Sequence, residues 1–91
     1  MTNVREYDYD GSSIEVPAGA EVTYSVTRAW KHLQPTVYSV GGDVDDLVEY
    51  EVHAVPIRDR HTVPEHAEHV EVVRVTKQEY QAVCWLEEVS G

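Results

Sequence analysis

Residues 47–55, LVEYEVHAV, and residues 70–75, VEVVRV, are the two stretches around which the chain is organised. In the first, apolar residues alternate with Glu49, Glu51 and His53, which is the pattern of a strand with one buried and one solvated face. The second begins with the same alternation and then changes phase, which indicates a β-bulge or burial on both faces. Both stretches predict sheet strands, and the histidine-containing loop between them is the first place to look for chemistry.

Three further segments are typical of strands. Residues 20–27, AEVTYSVT, have the clearest alternation in the chain, with small or apolar residues facing one way and polar residues the other. Residues 14–16 and 36–40 are shorter and β-prone. Pro17-Ala18-Gly19 breaks the first, and the second ends at Gly41-Gly42, where the chain can take a positive φ. Together the five segments predict a small antiparallel sheet or sandwich of about five strands.

The C-terminal segment predicts a helix. Four apolar residues recur at the i, i+3, i+4 and i+7 spacing of a helical stripe: Ala82, Trp85, Leu86 and Val89. Upstream, Thr76 and Glu79 have the spacing of a capping box. We therefore expect a helix over about residues 77–89 that covers one side of the sheet, and a mainly β fold of the α+β type.

Length and composition indicate one small globular domain, residues 1–91. The chain is 42% apolar and 26% charged, so its core is real but thin. Its longest uncharged apolar run, Ala82 to Leu86, is far too short to span a membrane. The N-terminus lacks the apolar core of a signal peptide, so we expect a location in a virion or in the cytoplasm and no membrane partner.

Net charge is the strongest compositional signal. Seventeen Asp and Glu against seven Lys and Arg give −10, and such a surface disfavours binding to nucleic acid. The chain also has only two Lys, seventeen Val against five Ile and Leu together, and no Phe. This composition resembles that of proteins from extremely halophilic archaea and their viruses, in which dense carboxylates keep the surface hydrated. An acidic mesophilic protein from a GC-rich genome is the alternative.

Four of the five histidines lie close together in the sequence and are the candidate metal ligands: His53, His61, His66 and His69. Zn²⁺ needs three or four ligands that converge at about 2 Å. A capping box at residues 62–65 would allow one helical turn, which would place the last two histidines on one face. Neither H-E-x-x-H nor H-x-x-E-H is present, however, and the spacing favours a polar loop with exposed imidazoles over a metal site.

No catalytic or cofactor motif is present. The chain has neither a Gly-x-Ser-x-Gly elbow nor a phosphate-binding glycine loop, so we predict that it is not an enzyme and carries no cofactor. Its single cysteine, Cys84, excludes an internal disulfide and has the surroundings of a buried apolar side chain. Tyr7 and Tyr9 alternate with Asp near the N-terminus and are the candidate protein-contact residues.

These observations favour a non-enzymatic structural or assembly protein. The expected role is that of a small subunit in a larger homo- or hetero-oligomeric assembly, such as a virion component of a halophilic virus. Its partners would then be copies of itself or other assembly subunits. Two alternatives stay open: a soluble acidic interaction or regulatory module of a haloarchaeon, including a DNA mimic, and a metal-binding protein centred on the histidines.

The halophilic composition generates a prediction that does not depend on the function. At low salt the crowded carboxylates repel one another, so circular dichroism should show an unfolded chain that molar KCl refolds. A far-ultraviolet spectrum that is the same at low and at molar KCl would contradict the halophilic interpretation.

Overall fold

A computed structural model describes residues 2–57 and 62–89. Within these ranges the chain forms strands and no helix: β1 (Val4–Asp8), β2 (Ile14–Ala18), β3 (Glu21–Ala29), β4 (His32–Val40), β5 (Asp43–Ile57), β6 (Glu68–Arg74) and β7 (Gln81–Glu88). One sheet has three strands in the order β1-β4-β3, and the other has four in the order β2-β5-β7-β6. All neighbours are antiparallel.

The core lies between the two sheets and consists of small and medium-sized apolar side chains. Val26 and Val37 reach it from the three-stranded sheet, and Val16 and Leu86 from the four-stranded sheet; all four are almost fully buried. Inward-facing positions alternate with outward-facing ones on most strands, as expected for a sandwich of antiparallel sheets. The fold is therefore all-β.

Two hydrogen bonds join the sheets directly. The Tyr24 hydroxyl on β3 donates to the backbone carbonyl of His69 on β6 at 2.6 Å. The amide of Thr76, just after β6, donates to the carbonyl of Val26 on β3 at 2.8 Å. Burial raises the pKa of the Tyr24 hydroxyl, so this group stays a neutral donor at physiological pH. These bonds hold β3 and β6 against each other.

The predicted C-terminal helix is wrong. Residues 81–88 form β7, a central strand of the four-stranded sheet that pairs with both β5 and β6. The expected capping box forms a turn in which Lys77 has φ +63° and the amide of Gln78 donates to the carbonyl of Val75. The chain therefore has seven strands in its described part, two more than the sequence predicts, and belongs to the all-β class rather than the α+β class.

Burial on both faces of β7 explains this error. Ala82, Cys84 and Leu86 face the core, while Val83 and Trp85 point to the other side of the sheet and are still only 4% and 6% exposed. A strand that is covered on both faces has a continuous apolar run instead of an alternating one. Such a run also contains the helical spacing by chance, so periodicity alone cannot distinguish the two structures.

The expected strands at 47–55 and 70–75 are present, with different bounds and a different irregularity. β5 runs from Asp43 to Ile57, and β6 from Glu68 to Arg74. The register of β6 shifts between Glu68 and Glu71, where His69 has φ +54°, earlier than the phase change in the sequence suggested. Val72 lies on the outward face and is half exposed. The apparent phase change in residues 70–75 therefore arises because a valine occupies an outward position, where the alternation predicts a polar residue.

The helical turn that the capping box at residues 62–65 would start is also not formed. Instead, the amide of Ala67 donates to the carbonyl of Pro64 at 3.0 Å, which closes a single β-turn that leads directly into β6. None of the described residues forms a helix long and apolar enough to cross a membrane.

Gly42 is the glycine at which a side chain would collide with neighbouring residues. It lies between β4 and β5 with φ +84°, and a Cβ atom built on it would lie 2.9 Å from Ala20 Cβ, Ala20 N and Pro17 Cβ. Gly41, its neighbour, has a similar φ of +76° but open space where the Cβ would stand. Gly42 thus permits the close approach of the β4–β5 turn to the segment that joins β2 and β3.

This difference gives a stability prediction with a matched control. Gly41→Ala should lower the free energy of unfolding by about 1 kcal/mol, because only the left-handed backbone is penalised. Gly42→Ala should lower it by about 1–3 kcal/mol more, because the new methyl group also displaces backbone. Chemical denaturation of the two variants in the same buffer measures the difference. Equal losses would show that the contacts around Gly42 are loose.

Candidate functional site

Two histidines and a tryptophan meet at one carboxylate on the outward face of the four-stranded sheet. His53 on β5 stacks on Trp85 of β7, with ring centroids 5.2 Å apart and planes 9° from parallel. Trp85 Nε1 donates to Glu87 Oε2 at 3.0 Å, and His53 Nε2 lies 2.8 Å from the same oxygen. From the turn before β6, His66 Nε2 reaches Glu87 Oε1 at 2.5 Å.

Register explains how these residues come together. His53 lies directly opposite Trp85 in the pairing of β5 with β7, so the rings share a face and stack. Glu87 is two residues further along β7 and so projects from the same face. His66 lies in the turn just before β6, and its contact with Glu87 places that turn against this face of the sheet. This cluster closes the outer side of β7.

Hydrogen bonding keeps Glu87 ionised. The Trp85 indole N–H is the largest cause of the lowered pKa of this carboxyl, followed by the bond to His66, and nearby His53 acts in the same direction. The donors stabilise the charged form more than partial burial disfavours it. Glu87 is therefore an anchor for three aromatic side chains and an unsuitable general acid at neutral pH.

The predicted histidine ligands are only partly brought together. His53 and His66 contact opposite oxygens of one carboxylate, so their nitrogens are separated by it instead of surrounding a common point. His69 lies elsewhere, with its ring edge-on to Tyr50 at 6.1 Å, and His61 lies outside the described residues. In residues 2–57 and 62–89, no three His, Cys, Asp or Glu side chains are arranged to hold a metal ion.

The other candidate groups have structural surroundings. Tyr7 and Tyr9 are half-buried and pack against the core, and the Tyr7 hydroxyl lies 3.5 Å from Ser39 Oγ. Only the exposed remainder of each ring is accessible to a partner. Cys84 is fully buried, and burial raises the pKa of its thiol to about 12, so it is not a nucleophile at neutral pH.

Carboxylates form a row across the outward face of the four-stranded sheet. Glu15 on β2 lies opposite Glu49 on β5, and Glu51 lies opposite Glu87 on β7. All four point away from the core because the residues beside them in sequence, such as Val16 and Tyr50, point into it. This row, which we call the acidic face, concentrates negative charge on one side of the molecule.

Positive charge is concentrated at one end of the sandwich. Of the five Lys and Arg in the described ranges, four lie at the end where β3 and β6 finish: Arg28, Lys31, Arg74 and Lys77. The bond between Thr76 and Val26 places the end of β6 beside that of β3. We call this end, together with Trp30, the basic pole. Glu79 is the one carboxylate in the described turns of the basic pole. The fifth cation, Arg5, lies near the opposite end, where it is opposite Ser39 in the pairing of β1 with β4.

Trp30 forms the tip of the basic pole. With Lys31 it makes the two-residue turn between β3 and β4, and it is 78% exposed. Its φ is +60°, an uncommon value for a bulky side chain, and Arg28 Nε braces the turn by donating to the Trp30 carbonyl at 3.0 Å. A large aromatic ring is thus held in solvent on a rigid hairpin.

A cleft opens beside this hairpin, between the ends of the two sheets. Its volume is about 480 Å³, and it is lined by basic residues and by apolar or aromatic ones: Arg28, Lys31, His32, Leu33, Ala54, Pro56 and Tyr80. The cleft can therefore accept a group that is partly anionic and partly apolar.

The opposite end of the sandwich, which we call the acidic pole, has the complementary character. Its carboxylates lie at the start of β3 and in the bulge at the start of β5: Glu21, Asp43, Asp45 and Asp46. The bulge arises because Asp43 pairs with Ala18 while Leu47 pairs with Pro17, so residues 44–46 loop out. Exposed apolar side chains accompany the carboxylates: Val4, Val40, Val44 and Leu47.

The sequence analysis gave no role to Trp30. The sequence does contain a signal for its exposure. The residues two positions before and after Trp30, Arg28 and His32, are polar, which is typical of an exposed turn. Neither pole could be recognised before the strand order was known, because β3 and β6 are far apart in the sequence.

The Glu87 cluster generates a pH prediction. The pKa of this carboxyl is lowered in the folded state, so its contribution to stability is present above its ordinary value of 4.5 and is lost as the pH falls through the folded-state value. Glu87→Gln should lower the melting temperature at pH 7 and flatten its decline between about pH 5 and pH 3. Thermal melts of Glu15→Gln, a carboxylate on the same face, provide the control. Identical pH profiles for the two variants would show that Glu87 is not a special anchor.

In comparisons with known proteins, no family model, no curated protein and no solved structure matches the chain significantly.

Proposed function

We propose that the chain is a non-enzymatic structural subunit that builds a larger assembly through protein contacts. The partners are copies of itself or other assembly subunits, and a virion component of a halophilic virus is the role that fits its composition. The single observation that carries the proposal is the exposure of Trp30 at the tip of a braced hairpin.

Energetics support this interpretation of Trp30. Burial of a large apolar side chain is worth about 1.5–3 kcal/mol, and the isolated chain forgoes that gain at a position where a polar residue would fit the turn better. Tryptophan is enriched at protein interfaces and is often one of the few residues that carry most of the binding energy. A partner that covers the ring would recover the lost burial.

Other exposed apolar residues support assembly as well. Val70 and Val72 are each half exposed on β6, which is an edge strand of the four-stranded sheet. Edge strands with apolar side chains are sites at which sheets add to further chains, unless charges protect them. Valines in such places suit a subunit whose surface is covered by neighbours.

The acidic face favours a second candidate function, that of a soluble acidic interaction module. Glu15, Glu49, Glu51 and Glu87 form a row of charge that could occupy the basic groove of a partner, as a DNA mimic does. Such binding depends on charge alone and weakens steeply as salt rises. Assembly through Trp30 depends on apolar burial and persists in high salt.

Purification with bound partners separates the two functions. We expect the chain, isolated from its source in molar KCl, to sediment with protein partners or copies of itself as a species much heavier than a single chain. The complex should survive an increase from about 1 M to about 3 M KCl, where charge contacts are screened. A partner that is released by this increase would support the acidic module, and a chain that stays monomeric and enters no larger assembly would contradict the structural role.

A further inference from the structure

We propose that this chain associates with itself head to tail, so that the acidic pole of one copy docks into the cleft at the basic pole of the next. The inference rests on the proposed assembly function and specifies its partner, its geometry and its contacts. Trp30 lies at the edge of the contact and covers apolar residues of the neighbouring acidic pole.

The two poles lie at opposite ends of the same strands. β4 begins at His32, beside the Trp30 turn, and ends at Val40, beside the acidic bulge. The eight intervals between the nine residues of β4, at about 3.3 Å each, place these ends roughly 26 Å apart in a molecule whose longest dimension is 39 Å. A contact between unlike poles therefore joins copies along their long axes, and one copy cannot satisfy both of its own poles.

Chemical character matches across the contact. The cleft supplies Arg28 and Lys31 together with the apolar walls of Leu33 and Pro56. The bulge supplies Asp45 and Asp46 on an exposed loop. Charge pairs next to apolar contacts are the usual composition of a specific interface, in which the charges set orientation and the apolar groups supply affinity.

Apolar exposure matches as well. At the basic pole the exposed apolar group is Trp30, and at the acidic pole Val44 and Leu47 are each more than one-third exposed. An aromatic ring that covers such side chains removes both surfaces from water at once. Each chain therefore carries both the charged groups and the apolar groups that such a contact needs.

Net charge restricts the orientation in which two copies can meet. Two copies that each carry −10 repel one another in most orientations, and the acidic faces cannot meet. Contact between unlike poles is the arrangement that brings opposite charges together. In molar salt the screening length falls to about 3 Å, so the general repulsion disappears while charges in direct contact still recognise each other.

A head-to-tail contact uses different surfaces on the two copies and leaves one pole free at each end. Contacts of this kind grow into rings when the rotation between copies closes, and into filaments when it does not. Assembly should therefore continue beyond the dimer as the concentration rises. A two-fold symmetric dimer, which uses the same patch twice, would stop at two copies.

Two charge-reversed variants test the proposal. The first, Arg28→Glu with Lys31→Glu, removes the basic pole and keeps the acidic pole. The second, Asp45→Lys with Asp46→Lys, removes the acidic pole and keeps the basic pole. Sedimentation velocity is measured over a range of concentrations, at the lowest KCl concentration at which circular dichroism shows each protein folded. Lys31→Glu alone is included because Arg28 also braces the turn. Glu15→Lys, on the acidic face, is the control for a charge reversal outside both poles.

The expected pattern is specific to a head-to-tail contact. Wild type and Glu15→Lys should form species larger than dimers. Each pole variant alone should remain monomeric, with association weakened about ten-fold or more by each reversed charge. A mixture of the two pole variants should associate again and grow beyond the dimer. The intact poles of the two variants carry opposite charges, and so do their two reversed poles. The chain that carries all four reversals should associate again, because both poles have exchanged sign.

Trp30 provides an independent measurement. Trp30→Ala should weaken association about 30-fold or more, as for residues that dominate an interface, and should leave the circular dichroism spectrum unchanged. In wild type, fluorescence quenching by acrylamide should decrease as the concentration rises, because Trp30 is exposed in the monomer whereas Trp85 is buried in the fold.

The outcomes separate this inference from the proposed function. Large species that persist unchanged in both pole variants and in Trp30→Ala would overturn the head-to-tail contact and leave the assembly function standing. A wild-type chain that stays monomeric in vitro would also overturn self-association. In that case, recovery of the chain in a complex with a different protein would still support the assembly function, and failure to recover any complex would overturn both.

Discussion

Burial of β7 on both faces is the constraint on which the rest of the structure depends. Its inward side chains fill the core, and its outward side chains, Val83 and Trp85, are covered almost as completely. A two-layer sandwich normally leaves the outer face of each sheet in water, so an apolar strand at that position needs a further cover. The ring of His53 stacks on Trp85, and His66, in the turn before β6, contacts Glu87 on the same face. Histidines that resemble metal ligands in the sequence thus help to close the outer layer of the fold.

The same constraint explains which elements could be predicted from the sequence. Strands with one solvated face, such as β3 and most of β5, alternate clearly and were predicted. β7 was mistaken for a helix because a strand covered on both sides loses its alternation, and five apolar residues in a row contain the i, i+3 and i+4 spacings automatically. β1 and β2 are short, and their pairing with β4 and β5 depends on contacts with residues far away in the sequence. Local patterns carry no information on such pairings.

Candidate sites were less predictable than strands, since they depend on strand order. Glu87 could not be linked to His53 while β7 was expected to be helical, because the two meet only through the pairing of β5 with β7. The basic pole is formed by residues from the β3–β4 turn and from the end of β6, which 40 or more positions of sequence separate. The sequence gives only the sum of the charges, −10. The strand order determines that cations collect at one end of the sandwich and carboxylates at the other.

The unlike charges at the two ends of the sandwich and the acidity of the surface as a whole have different effects on association. Both are compatible with high salt. A uniformly acidic surface prevents nonspecific association while salt is low and loses that effect once the charges are screened. Specific contacts in concentrated salt must then come from groups that work at contact distance: an aromatic ring on apolar side chains and charges paired directly. The ends of this sandwich hold such groups, with Trp30 and cations at one end and valines, Leu47 and carboxylates at the other. Since antiparallel strands bring successive turns alternately to the two ends, a few substitutions in turns suffice to make the ends different while the apolar core stays as it is.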